Sequence, residues 1–213
     1  YNRKKVSLLL RSLARNEATT ASDMSLLKDI AAQDDETISR NTVDKYLDAF
    51  NRMFLLNNQP PFSPNLRSSL RVKQAEKRHF ADPAMACALL NITPQKLIGD
   101  LNTFGFMFEA LAEHDLAVYA QAFGAKLYHY QDYNGNEIDA VLELEDGDWC
   151  AFEIKLGANK ADEGANNLVK VCKAIEAHGG KPPKAKCVIC GLGNAAYTRP
   201  DGVMIVPLNA LKD

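Results

Sequence analysis

Residues 135–157, GNEIDAVLELEDGDWCAFEIKLG, contain two stretches in which apolar and polar residues alternate, separated by a loop with a glycine. Alternation with a period of two is typical of β-strands. The stretches predict strands over Glu137–Leu144 and Trp149–Leu156, joined as a hairpin. Acidic residues interrupt both stretches, and the register of the hairpin decides whether they lie on one face or on two.

Two loop lengths are compatible with this hairpin. A two-residue turn at 146–147 would set Asp139 opposite Ile154 and mix apolar with charged residues on both faces. A three-residue loop with Gly147 in the left-handed conformation would set Asp139 opposite Glu153. One face is then wholly apolar, and the other carries Asp139, Glu153 and Lys155. A slip of one residue moves every side chain to the other face, so we predict the three-residue loop.

The predicted register places two carboxylates side by side, with an ammonium two residues further along. Adjacent carboxylates repel each other unless a cation lies between them. Oxygen ligands favour a hard cation such as Mg²⁺, which polarises phosphate and lowers the pKa of a bound water. Lys155 would then orient that water or stabilise negative charge. The alternative is a solvated polar face on which Lys155 neutralises Glu153.

A third acidic residue, Glu109, lies in the apolar helical stretch FMFEALA. A charged residue in such a stretch needs a partner, and the alternative is a position on the helix surface beside Glu113.

The order of predicted elements divides the chain in two. Three helices and two short strands within residues 62–80 give the outline of a winged helix-turn-helix. After Asn91–Pro94 the order is helix, three strands, helix and strand, and a strand–helix–strand connection implies a parallel pair. We therefore predict a mixed α/β (α+β) protein with a winged helix-turn-helix-like domain over 1–95 and an α-β-β-β-α-β domain over 96–213.

A helical Glu, a strand Asp and Glu-x-Lys on the next strand resemble the PD-(D/E)XK nuclease superfamily. The segments SRNTVDKYLDAFNRMFLL, KRHFADPAMACALL, FGFMFEALAEHDL, NEIDAVLEL, FEIKLG and DGVMIVPLNAL resemble, over residues 35–213, the domain-of-unknown-function 4143 family. This family forms the C-terminal part of prokaryotic AAA+-type ATPases, with a winged-helix segment before a nuclease-like domain.

The resemblance implies particular roles for the acidic residues and the lysine. Asp139, Glu153, Lys155 and Glu109 take the catalytic motif positions, and the three carboxylates among them bind Mg²⁺. It also implies an ATPase domain earlier in the parent chain as a partner. Because the superfamily includes members without catalysis, a non-catalytic nucleic-acid- or protein-binding module that regulates the ATPase is the alternative.

The winged-helix half offers a candidate nucleic-acid surface. Arg40, Asn41 and Lys45 lie at the start of the third helix, which would enter the major groove. Phosphate contacts are expected from the basic segment after it, which carries Arg67, Arg71, Lys73, Lys77 and Arg78. Residues 1–100 carry 15 basic and 11 acidic side chains, a net charge of +4. Asp44 and Asp48 on the same helix favour the alternative of a protein-docking module.

Other features exclude several classes of protein. No apolar run reaches 18 residues, so no membrane span is expected. Five cysteines without regular spacing indicate a reduced, cytoplasmic compartment. No G-x-x-x-x-G-K-[ST] motif occurs, so no ATP site is expected in these residues. The oligomeric state and the choice between DNA and RNA stay open.

Overall fold

A computed structural model describes residues 2–64 and 72–211 of the protein. The chain has the predicted α+β class, with seven α-helices and a six-stranded sheet in the described residues. It forms two compact units: Tyr1–Gln59 with Ala75–Ala110, and Pro60–Gln74 with Leu111–Asp213. The predicted boundary between domains 1–95 and 96–213 stays a prediction.

The first unit is built mainly from helices around an apolar core. The core includes Leu9, Leu26, Ile30 and Val43, each fully buried. Its helices are α1 (Arg3–Arg15), α2 (Asp23–Asp34), α3 (Arg40–Arg52), α4 (Pro83–Leu89), α5 (Pro94–Gly99) and the beginning of α6 (Leu101–Ala122). Ser22 and Ser39 cap α2 and α3 through their hydroxyl groups, because each accepts a hydrogen bond from an N–H of the first turn.

Short antiparallel contacts take the place of the two strands predicted within residues 62–80. Leu56 pairs with Phe80 and Gln59 with Lys77, and Arg78 pairs on its other side with Thr19. No regular strand forms in the described part of 53–82. Val72, inside the predicted ribbon, forms an isolated bridge with Asp132 instead of a regular strand, and both residues belong to the second unit. Prolines at 60, 61 and 64 remove backbone donors from this region, which prevents a continuous ladder.

The second unit contains a mixed sheet in the order β1-β2-β3-β4-β6-β5. Its elements after α6 are β1 (Lys126–Gln131), β2 (Glu137–Glu143), β3 (Trp149–Gly157), α7 (Ala161–Ala177), β4 (Ala185–Leu192), β5 (Tyr197–Thr198) and β6 (Met204–Pro207). The pairing of β3 with β4 is parallel, as predicted from the intervening helix. The two-residue β5 was not predicted.

Residues 60–64 and 72–74 pair with the edge of the sheet at β1. The N–H of Phe62 donates to the carbonyl of His129 over 2.6 Å, and the N–H of Lys73 donates to the carbonyl of Gln131 over 2.8 Å. The ring of Phe62 packs 5.1 Å from that of Trp149, between centroids. This segment therefore contributes to the core of the second unit.

The β2–β3 hairpin has the predicted register. Ala140 pairs with Phe152 and Glu143 with Trp149, and Gly147 has a φ of +76° in the three-residue loop. One step further along the same register, Asp139 lies opposite Glu153.

The polar face of the hairpin is not solvated, in contrast to the alternative considered from the sequence. Ala140 and Ile154 on the apolar face are buried, but so are Ala151 and Glu153 on the other. Helix α7 packs against β3 and β4 and supplies small residues, among them Ala161 and Ala165, to the core. Both faces of the sheet are covered here, so the acidic side chains lie inside the unit.

Candidate active site

The hairpin brings Asp139, Glu153 and Lys155 together. The Nζ of Lys155 lies 2.6 Å from Oε2 of Glu153 and 3.5 Å from Oδ2 of Asp139. Both strands project these side chains to the same face, because Glu153 and Lys155 are two residues apart and Asp139 follows the register. The ammonium is therefore shared by two carboxylates, and these three predicted site residues do converge.

The backbone of β3 holds Asp139 in place. The N–H of Ile154 donates to Oδ2 of Asp139 over 2.8 Å, beyond the last ladder pair of β2 and β3. A carboxylate that accepts a backbone hydrogen bond has a defined orientation. Its side chain is 14% exposed, so solvent reaches the site beside it.

Glu153 is the most deeply buried member of the site, with 2% of its surface exposed. Burial, the largest cause, and the charge of Asp139 together raise its pKa to about 7, against the opposing effects of Lys155 and Asn167. Desolvation and a like charge both disfavour the ionised carboxylate. Glu153 therefore gains and loses its proton near neutral pH, a property that clusters at functional sites.

Helix α7 covers the site closely at Gly164. A Cβ at this position would lie 3.3 Å from Cε of Lys155, 3.3 Å from Cγ1 of Val188 and 3.4 Å from Cβ of Glu153. Glycine thus permits the approach of the helix to the sheet. Sequence reasoning missed Gly164 and Asn167, although a glycine inside an amphipathic helix is an indication of close packing.

Glu109 lies on α6 in the first unit and has a partner there. Its Oε1 is 2.8 Å from Nζ of Lys77, a side chain that is 9% exposed. The expectation that this carboxylate needs a partner is therefore confirmed. Its role as a metal ligand and catalytic residue stays a prediction.

Asp139 and Glu153 together offer two carboxylates as ligands for Mg²⁺. Within residues 2–64 and 72–211, no group of three or more His, Cys, Asp or Glu side chains is arranged to hold a metal ion. Two carboxylates that already share one cation match the way Mg²⁺ binds proteins, through one or two carboxylates with water and phosphate oxygens. The residues therefore fit a site in which water and phosphate oxygens complete the coordination of the ion, rather than a site made of protein ligands alone.

The predicted nucleic-acid residues lie in different places. Arg40, Asn41 and Lys45 are exposed on the first two turns of α3. Lys73 is half-buried in the segment that pairs with β1, while Arg71 and Arg67 lie outside the described residues. Two basic side chains and one amide therefore lie exposed on α3, where they are accessible to a partner.

Two of the expected phosphate-binding residues are engaged within the first unit. Lys77 pairs with Glu109 over 2.8 Å, and Arg78 pairs with Asp23 over 2.6 Å and donates to the carbonyl of Ala21. Both side chains are largely buried, which the basic composition of the segment did not indicate. A phosphate contact by either would require its ion pair to open.

Comparison with protein families gives two matches. The domain of unknown function DUF4143 matches residues 104–211, half of the chain, and the domain of unknown function DUF8612 matches residues 1–96. No curated protein matches the chain significantly. In the described parts of the chain, none of the helices combines the length and apolar character needed to span a membrane.

Proposed function

The chain belongs to the DUF4143 family, and we propose that its second unit is a nuclease-like, Mg²⁺-dependent phosphodiesterase acting on nucleic acid. The observation that carries this proposal is the convergence of Asp139, Glu153 and Lys155 on one face of the β2–β3 hairpin. Two carboxylates can hold a divalent cation and a lysine can stabilise developing negative charge, a combination that suits metal-assisted hydrolysis of a phosphodiester.

The proposed site uses the position that the ammonium of Lys155 now occupies. Asp139 and Oε2 of Glu153 would hold Mg²⁺ there. The bound ion supplies Lewis acidity toward a phosphate oxygen and lowers the pKa of a coordinated water. Lys155, displaced from the carboxylates, then donates to the phosphate and stabilises its developing negative charge. It acts as a donor only, because an ammonium has no lone pair.

The burial of Glu153 supports this assignment. Because its pKa is about 7, Glu153 is protonated in a fraction of the metal-free molecules at neutral pH. A bound divalent cation would favour the ionised carboxylate. Below neutral pH, cation binding would therefore release the proton of Glu153.

The second candidate is a non-catalytic module that binds nucleic acid or protein. It is favoured by the ion pairs of Lys155, which give both carboxylates a cationic partner from the chain itself. In this alternative the exposed start of α3 provides the contact surface, through Arg40, Asn41 and Lys45. For both candidates we propose that the chain is the C-terminal portion of a larger AAA+ ATPase, whose ATPase domain it regulates or serves.

A calorimetric titration with MnCl₂ and MgCl₂ tests the proposed function, followed by cleavage assays on single- and double-stranded DNA and RNA. The wild type is expected to bind at millimolar or lower concentration and to cleave at least one substrate. Asp139→Asn keeps the shape of the side chain but removes a ligand charge, so metal affinity falls and cleavage falls by more than about 100-fold.

Glu137→Gln is the matched control, since this exposed residue lies on the same strand and the substitution makes the same change of charge. It is expected to behave as the wild type. If the wild type binds neither ion and Asp139→Asn alters only stability, the phosphodiesterase is excluded and the non-catalytic module stands.

A further inference from the structure

Asn167 of α7 contacts the acidic site through its amide group. Its Nδ2 donates to Oε1 of Glu153 over 2.8 Å and to the backbone carbonyl of Glu137 over 3.0 Å. The first contact joins the helix to β3, and the second joins it to the first residue of β2. One side chain therefore connects the helix to both strands of the hairpin.

The orientation of this amide follows from its surroundings. Both neighbouring groups are oxygen acceptors, so the nitrogen faces them and the carbonyl oxygen of the side chain points elsewhere. A flipped amide would place its oxygen against two other oxygens and lose both hydrogen bonds. Asn167 is thus defined as a donor to Glu153.

The two oxygens of Glu153 consequently have different partners. Oε1 is held by Asn167 over 2.8 Å, and Oε2 is held by Lys155 over 2.6 Å. Because Lys155 also approaches Asp139, the cation position lies on the Oε2 side of the carboxylate. A cation that takes this position meets only one oxygen of Glu153 as long as Asn167 keeps the other.

We infer that Asn167 is a positioning residue of the metal site: its amide holds Oε1 of Glu153 and directs Oε2 toward the cation and Asp139. The inference rests on the proposed function, because it assigns Asn167 a role toward the same divalent ion. Groups that orient a metal ligand by hydrogen bonding typically change affinity by about 10- to 100-fold when they are removed.

A purely structural role for Asn167 makes a different prediction. The hydrogen bond to the carbonyl of Glu137 fastens α7 to the sheet, and its loss alone would lower stability. It would not change the affinity of the folded protein for a divalent cation. Metal affinity and stability therefore distinguish the two roles.

The experiment compares Asn167→Ala and Asn167→Leu with the wild type. Leucine has a similarly branched but larger side chain without the donor, and alanine and leucine both favour a helix. Asn166→Ala is the matched control, since Asn166 is the exposed neighbour on the same helix. The Kd for Mn²⁺ is measured by calorimetry at pH 8, and the free energy of unfolding is measured by urea titration, with circular dichroism to verify that each variant is folded.

We expect the Kd of both Asn167 variants to rise about 10- to 100-fold, with Asn166→Ala within about twofold of the wild type. If the folded Asn167 variants bind Mn²⁺ as tightly as Asn166→Ala and lose only stability, the positioning role is overturned while the proposed function survives. If the wild type itself binds no Mn²⁺, both are overturned.

Discussion

Buried glutamates occur in both units, and the surroundings of Glu17 and Glu153 differ. Glu17 in the first unit lies 3.0 Å from the ring of His79 and accepts hydrogen bonds of 3.3 and 3.2 Å from the N–H of Phe80. Glu153 in the second unit has a lysine and an amide as partners, but it also has the carboxylate of Asp139 beside it.

The comparison of Glu17 with Glu153 shows that equal burial does not imply an equal role. Both glutamates are 2% exposed, so burial of an acidic group does not by itself define a site. The hydrogen bonds of Glu17 come from two successive residues of one segment and hold that segment against the end of α1. At Glu153 two acidic groups share one ammonium, and under the proposed function this excess of negative charge favours the binding of a divalent cation.

The comparison predicts the largest loss of stability at Glu17. Glu17→Ala leaves the N–H of Phe80 and the ring of His79 without their carboxylate, and each buried polar group left without its partner costs about 1–3 kcal/mol. Urea unfolding measures the change. Glu36→Ala is the control, because Glu36 pairs with Lys4 at the surface and such pairs contribute less than about 1 kcal/mol. Equal effects of the two substitutions would contradict the structural role of Glu17.

The pH dependence of stability should distinguish Glu153 from an ordinary carboxylate. Burial raises its pKa in the folded protein from 4.5 to about 7. The stability that the raised pKa of Glu153 contributes is therefore fully present below pH 4.5 and is lost as the pH rises through about 7.

Relative to Glu153→Gln, the metal-free wild type should lose on the order of 3 kcal/mol of stability between pH 4.5 and pH 8. Urea unfolding at several pH values measures the difference between the two proteins. A difference that stays constant over this range would show that Glu153 titrates in the ordinary range.

Substitution of Lys155 tests the competition for the cation position. Lys155→Met leaves two carboxylates without their shared ammonium, so the metal-free protein should lose about 2 kcal/mol at pH 8. Excess Mn²⁺ should restore much of this loss, because a ligand that binds only the folded state stabilises it. Thermal unfolding with and without Mn²⁺ measures both effects.

Lys160→Met is the control for this experiment, because Lys160 forms only an exposed pair with Glu163. It removes the same charge near the beginning of α7 and should change neither stability nor its response to Mn²⁺. If Lys155→Met responds to Mn²⁺ no more than Lys160→Met does, Lys155 does not occupy a cation position.

The smallest change in stability is expected from Gly164→Ala. Alanine gains about 1 kcal/mol of helix propensity over glycine, but its Cβ meets Lys155 and Val188 at 3.3 Å. The two effects oppose each other, so the net change should stay below about 1 kcal/mol in urea unfolding. A loss above about 3 kcal/mol would show that the helix cannot adjust over the site.

The hairpin and its acidic face could be predicted from the sequence because they depend on local patterns. Alternation and the position of Gly147 determine the register, and the register places Asp139 opposite Glu153 without reference to the rest of the chain. The capping hydroxyls of Ser22 and Ser39 are local in the same sense, since each meets an N–H three residues later.

Contacts between distant residues required the tertiary structure. Lys77 and Glu109 are 32 residues apart, and neither sequence position indicates the other. The segment after α3 was predicted as a basic ribbon, yet the prolines and Phe62 direct its described ends to the edge of β1. Side-chain pairing across such separations depends on how the elements pack, which the period of a pattern does not specify.

The sequence by itself determined that two carboxylates and a lysine share one face of a hairpin, because strand geometry has a period of two. Only the tertiary structure decided that this face is buried, that Gly164 lets α7 approach it, and that Asn167 reaches Glu153. Alternation distinguishes the two faces of a sheet but contains no information about which element covers each face. That depends on the packing of α7 against β3 and β4, and this packing raises the pKa of Glu153 by removing water from it.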